Sequence, residues 1–217
     1  MNTYKIDSRM PAQICIIWLH GLGADAQDMM GLARELPLSF GIRHVFIDAP
    51  IRPVTLNGGM PMRAWYDIAS LAERDQADKA GIFESQDAIT RIMQKQYEEG
   101  FSARQIILAG FSQGGAMALF TALQHEEALG GIIALSAYLP QASEIRFKQD
   151  RDIPVFMAAG QFDTVVSPVW TKKSADRLRE MEYSHIAFHE YPMEHSICAE
   201  EIVDLTRWLT DNYSSFK

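Results

Sequence analysis

The segment Gly110-Phe111-Ser112-Gln113-Gly114 joins an apolar run at 105–109 to a helix-compatible run at 115–123. A strand that ends in a glycine-flanked serine and turns at once into a helix requires a sheet edge where the strand stops and a helix that packs back on it. The glycines have a physical reason. The turn brings neighbouring backbone together, and a Cβ at either position would crowd it while the serine holds a strained conformation. The helix then points its free first-turn N–H groups at the serine. The pattern predicts an exposed, nucleophilic hydroxyl at Ser112.

Around this turn, strands are expected at 14–19, 44–47, 105–109, 131–135, 155–158 and 186–189, several as nearly unbroken aliphatic runs. Such runs belong in a sheet covered on both faces. Helical patterns lie between them at 26–36, 85–97, 114–125, 168–181 and 196–209. On the last, Ile202, Leu205, Trp208 and Leu209 form the apolar face, while Glu200, Glu201 and Asp204 are expected to face water. The alternation predicts an α/β fold with a mostly parallel central sheet, helices on both faces and right-handed crossovers. Nothing resembling a linker divides the chain, so residues 1–217 read as a single domain without a large cap. Ligands then belong at the carboxyl ends of the strands.

The 28 acidic and 20 basic residues give a formal charge of -8. No Lys/Arg stripe is present, and short clusters such as Lys148 to Arg151 read as solvated face, which excludes nucleic acid as a partner. The N-terminal residues lack a leader's apolar core, and no stretch is long enough for stable membrane insertion, so a cytoplasmic location is expected. Cys15, in a predicted central strand, and Cys198, in a predicted helix, read as reduced, buried, structural thiols.

A serine hydroxyl needs a base within hydrogen-bonding reach and an acid that orients the base. Among six histidines, His195 is best placed, after the predicted strand at 186–189 and at the opening of the last helix. Asp163 follows the strand-like run ending at Gly160 and lies between serine and histidine in chain order, as an α/β-hydrolase arrangement requires. Asp152 begins a strand, on the edge opposite Ser112, and is the weaker candidate. Negative charge developing on a carbonyl oxygen needs N–H donors, for which the backbones of Gln113 and of Leu22, within His20-Gly-Leu-Gly23, are the candidates. His20 is expected to order that loop without exchanging protons. No His-Glu-x-x-His spacing, paired cysteines or phosphate-binding lysine motif is present, so no metal and no cofactor is expected.

The ordered blocks His20-Gly-Leu-Gly23, Pro53-Val-Thr-Leu-Asn57, Met62-Arg-Ala-Trp-Tyr-Asp67, Gly110-Phe-Ser-Gln-Gly-Gly-Ala116, Asp163 and His195-Ser196 span most of the chain. Together they resemble the acyl-protein thioesterase and small carboxylesterase family of α/β-hydrolases, also called phospholipase/carboxylesterase proteins. The resemblance implies Ser112 as nucleophile, His195 as base, Asp163 as orienting acid, and Leu22 and Gln113 as oxyanion donors. It also implies that Leu56 and Trp65, on the excursion at 53–66, wall the substrate site, although both suit core packing equally well. Two positions depart from the family pattern: Ala159, where many relatives have histidine, and Glu194, where glycine is common and where a carboxylate would put negative charge beside the mouth. The implied activity is hydrolysis of acyl esters or thioesters through an acyl-enzyme. Lysophospholipid at a lipid surface and acylated protein are the substrate alternatives, a non-catalytic binding protein on the same fold is the functional one, and monomer and homodimer both stay open.

Overall fold

The computed structural model describes residues 1–70, 78–141 and 151–214. Seven strands form the main sheet: β1 (Thr3–Asp7), β2 (Ile14–Leu19), β3 (Ile42–Ile47), β6 (Ile106–Phe111), β7 (Gly131–Leu135), β8 (Val155–Gly160) and β9 (Ile186–Tyr191). Between β3 and β6 a separate two-stranded hairpin is made by β4 (Ile51–Val54) and β5 (Met60–Arg63). The order across the main sheet is β1-β3-β2-β6-β7-β8-β9, with every neighbouring pair parallel except β1 and β3.

Five helices cover it: α1 (Ala26–Arg34), α2 (Lys79–Glu98), α3 (Gln113–Gln124), α4 (Pro168–Glu180) and α5 (Ala199–Tyr213). Side-chain alternation along each strand sorts the core into two layers. Cys15, Ile17 and Leu19 of β2 join the α2, α3 and α4 layer, whereas Ile14, Ile16 and Trp18 join the α1 and α5 layer. All six are completely buried, which is why β2 reads as a continuous apolar run rather than an alternating one. Among the described residues no helix is long and apolar enough to cross a membrane.

Several boundaries differ from the expectation. β1 and the β4–β5 hairpin were not foreseen. α2 starts six residues before Ser85, capped by the Asp78 carboxylate on Gly81 N–H at 2.9 Å. α5 starts at Ala199, so His195 lies in the turn before the helix rather than at its opening. Cys15 is buried and Cys198 half-buried at the α5 N-cap; neither forms a disulfide. Of the cluster Lys148 to Arg151, residues 148–150 lie outside the described residues, and Arg151 pairs with Glu182.

Glu201 is the clearest correction. Expected in water, it is completely buried in the first turn of α5, and neither carboxyl oxygen has a hydrogen-bond partner among the described residues. Burial pushes its pKa from 4.5 up to about 8. Between those values the folded chain holds a proton that the unfolded chain has released. Stability therefore falls as pH rises from about 4.5 toward 8, by at most about 1.4 kcal/mol per pH unit from this group. Glu201→Gln should remove that slope, so the variant gains on wild type as pH rises from 5 to 8. Denaturant unfolding across that range is the check; parallel profiles for the two proteins would contradict it.

Candidate active site

At the end of β6 the chain reverses into α3 through Ser112, whose backbone takes φ 54° and ψ −121°. Positive φ at a serine costs on the order of 1–3 kcal/mol, and the surroundings impose it. A Cβ on Gly110 would lie 2.4 Å from the Gly114 carbonyl carbon, and one on Gly114 would lie 2.1 Å from the Leu19 carbonyl oxygen. Only glycine permits both approaches. Ser112 N–H donates to Leu135 O at 2.9 Å, tying the turn to β7. Although Ser112 occupies the α3 N-cap, its hydroxyl does not cap the helix; it bonds to His195 instead.

Ser112 Oγ lies 3.0 Å from His195 Nε2, and His195 Nδ1 lies 2.7 Å from Asp163 Oδ2. The Asp163 side chain is fully buried. Its other oxygen, Oδ1, accepts the N–H groups of Val165 at 2.8 Å and Val166 at 2.7 Å, so the carboxylate cannot swing away from the imidazole. With Asp163 accepting, Nδ1 carries the proton and Nε2 presents a lone pair to the serine. The Phe111 ring packs against the imidazole at 4.8 Å between centroids. This is the geometry in which a histidine takes a hydroxyl proton. Asp152 is far from it, paired with His185 on the opposite edge.

Leu22 and Gln113 both border the cavity that Ser112 and His195 open into. Gln113 begins α3, where backbone N–H groups have no acceptor within the helix. Its buried side chain accepts from Trp65 N–H at 2.8 Å and donates to Tyr66 O at 2.8 Å. His20 acts as expected, within the backbone: its Nδ1 donates to Gly21 O at 2.7 Å, and its Nε2 accepts from Ala49 N–H at 3.0 Å. Burial lowers its pKa and so favours the neutral ring, while the two hydrogen bonds set its tautomer.

The cavity has a volume of about 300 Å³ and a mostly apolar lining, small for a ligand site. Leu56 lies on its wall, positioned by Leu56 N–H donating to Ile68 O at 2.7 Å. Trp65 does not. It is fully buried behind the loop at 20–24, with its indole N–H donating to His20 O at 2.9 Å and its ring 5.6 Å from the His20 ring. Tyr66 and Ile68 take the wall position instead, with Met29, Phe111, Tyr138, Val165 and Val166 contributing the rest of the apolar surface. Glu194 is exposed but off the wall; the carboxylate on the lining belongs to Asp28. Among the described residues no cluster of His, Cys, Asp and Glu is arranged to hold a metal ion.

The model of the phospholipase/carboxylesterase family matches residues 4–212. Acyl-protein thioesterase 1 of Yarrowia lipolytica is 36% identical over 217 residues, covering 94% of this chain and 96% of that protein. The Mycosarcoma maydis acyl-protein thioesterase 1 is 35% identical, covering 89% of each. Among solved structures, Arabidopsis thaliana SOBER1 superposes with a TM-score of 0.84 at 27% identity, over 92% of this chain and 98% of that one. Zea mays acyl-protein thioesterase 2 gives 0.80 at 28% identity, over 97% and 98%. The fold is thus that of the α/β-hydrolases, with no large cap domain. The chain belongs to the phospholipase/carboxylesterase family, and its family and fold match a serine hydrolase of the carboxylesterase and acyl-thioesterase type.

Proposed function

We propose that the protein hydrolyses acyl esters or thioesters, with Ser112 as nucleophile, His195 as general base and then acid, and Asp163 as the orienting carboxylate. The observation that carries this reading is the hydrogen-bonded line from Asp163 through His195 to Ser112, opening on an apolar cavity. His195 takes the Ser112 proton as Oγ attacks the acyl carbon, then returns it to the departing alcohol or thiol. Water, deprotonated by the same imidazole, attacks the acyl carbon; the acyl–Oγ bond breaks to release the acid, and His195 hands the proton back to Ser112 Oγ. The Leu22 and Gln113 N–H groups receive the oxyanion in both halves. Because these donors belong to the backbone, side-chain truncation leaves them in place.

The acyl chain lies against Leu56, Ile68 and Tyr66. Such a wall grades length gently, by about 0.8 kcal/mol per buried methylene, or roughly fourfold. A cavity this small fills early. Asp28 on the lining adds like-charge repulsion against anionic groups. Matched oxyesters and thioesters from acetyl to palmitoyl give the test. We expect kcat/KM to climb with the first added methylenes and then level off in both series. Strict preference for acetyl, or for an acid with a charged chain, would contradict the apolar acyl site.

A further inference from the structure

The loop at 20–24 must hold Leu22 N–H at a fixed point in space, yet Leu22 has glycine on both sides and Gly23 sits at φ 76°. Such a loop has little rigidity of its own. Besides the Trp65 indole on His20 O, three ties to residues 48–49 and 63 restrain it and the start of α1. Gly23 N–H donates to Arg63 O at 2.8 Å, Ala26 N–H donates to Asp48 Oδ1 at 3.1 Å, and His20 bridges Gly21 O to Ala49 N–H. The first ends on β5, the other two on residues 48–49 after β3. The Arg63 side chain joins these two anchors. Its Nη2 lies 3.1 Å from Asp48 Oδ2, and its Nη1 donates to Ala49 O at 3.3 Å.

We propose that Arg63 is a positioning residue for the oxyanion loop, acting through Asp48 and Ala49, an assignment that rests on the serine-hydrolase reading of Ser112. The Asp48 side chain is 3% exposed, and the other side-chain hydrogen bonds it accepts, from Asn2 at 3.3 Å and Tyr4 at 3.4 Å, are longer. Removing the guanidinium leaves a buried carboxylate without its cation. Asp48 then turns toward water, Ala26 N–H loses its acceptor, and the β5 carbonyl that fixes Gly23 is no longer held against residues 48–49. Leu22 N–H drifts from the point where oxyanion charge develops. An interaction realised in the transition state affects kcat, whereas Leu56, Ile68 and Tyr66, the wall assigned to the acyl chain, lie outside the displaced loop.

Arg63→Ala should therefore lower kcat by roughly 10- to 100-fold, with KM within about twofold, because small displacements of an oxyanion donor have effects of that order. Rates are normalised to sites labelled to completion by a fluorophosphonate, so a partly unfolded sample does not imitate the effect. Arg43→Ala is the control: it removes an arginine with two ion bridges, to Asp7 and Glu99, at the amino end of β3, away from the oxyanion loop. Adding Asp48→Asn to Arg63→Ala removes the unpaired charge and should restore part of kcat. If Arg63→Ala does not fold, Arg63→Gln is judged by the same criteria. A kcat matching the Arg43→Ala control, or a loss expressed in KM alone, would overturn the proposal while leaving the serine-hydrolase reading intact. A wild-type protein that neither labels nor turns over esters would overturn both.

Discussion

Ser112→Ala should reduce turnover of every accepted ester and thioester by about 10⁴-fold or more while leaving the fold intact. The hydroxyl is the only atom of this residue that would bond to substrate, and the imidazole 3.0 Å away has nothing else to deprotonate at that point except water. Alanine keeps the Cβ, so the strained backbone at φ 54° is no worse than before, and Ser112 N–H still reaches Leu135 O. Thermal unfolding within a few degrees of wild type, together with initial rates at the uncatalysed background, is the expected pair of results. A variant that retained a tenth of the activity would remove Ser112 from the chemistry.

Asp163→Asn should cost about 10⁴-fold in kcat through the proton's location rather than through lost packing. Oδ1 accepts from both Val165 and Val166, so the amide oxygen of the asparagine stays there and its NH₂ group faces His195. An NH₂ in the Oδ2 position donates to Nδ1, which moves the imidazole proton to Nε2. That nitrogen can no longer take a proton from Ser112. Rates with an activated ester, read beside the melting temperature, test this. Activity within tenfold of wild type would show that the carboxylate does not set the tautomer.

The strands around the site were legible because β2, β6, β7 and β8 are buried on both faces and leave an aliphatic signature in the sequence. Ser112, His195 and Asp163, which the structure brings into hydrogen-bonding contact, were singled out by chain order and by the ends of those strands. β1 left no such trace: all five of its residues are exposed, and backbone pairing with β3 rather than burial holds it. The β4–β5 hairpin was hidden by Pro53 and Pro61, which face each other across it. Proline argues against a central strand, but in a two-stranded ribbon each strand is an edge and tolerates a missing N–H.

Two side chains were misplaced for different reasons. Trp65 lies in an irregular segment after β5, where no period tells inward from outward, and the neighbouring Tyr66 takes the cavity. Glu201 was within reach of the pattern, since it precedes Leu205 and Leu209 at four-residue intervals on the buried stripe of α5. Its charge argues for water where its period argues for the core. The supports contributed by Gln113, Arg63 and Asp48 had no sequence signal of their own, because they depend on the hairpin returning to the loop at 20–24.

Activation of Ser112 by His195 is open to direct measurement, by intact mass after a fluorophosphonate treatment followed by mapping of the modified peptide. A single phosphonyl adduct per chain at Ser112, formed quickly by wild type and orders of magnitude more slowly by His195→Ala, is the predicted result. An unmodified native chain, an adduct on another residue such as Ser136 or Ser196, or labelling at Ser112 that ignores the loss of His195 would contradict it.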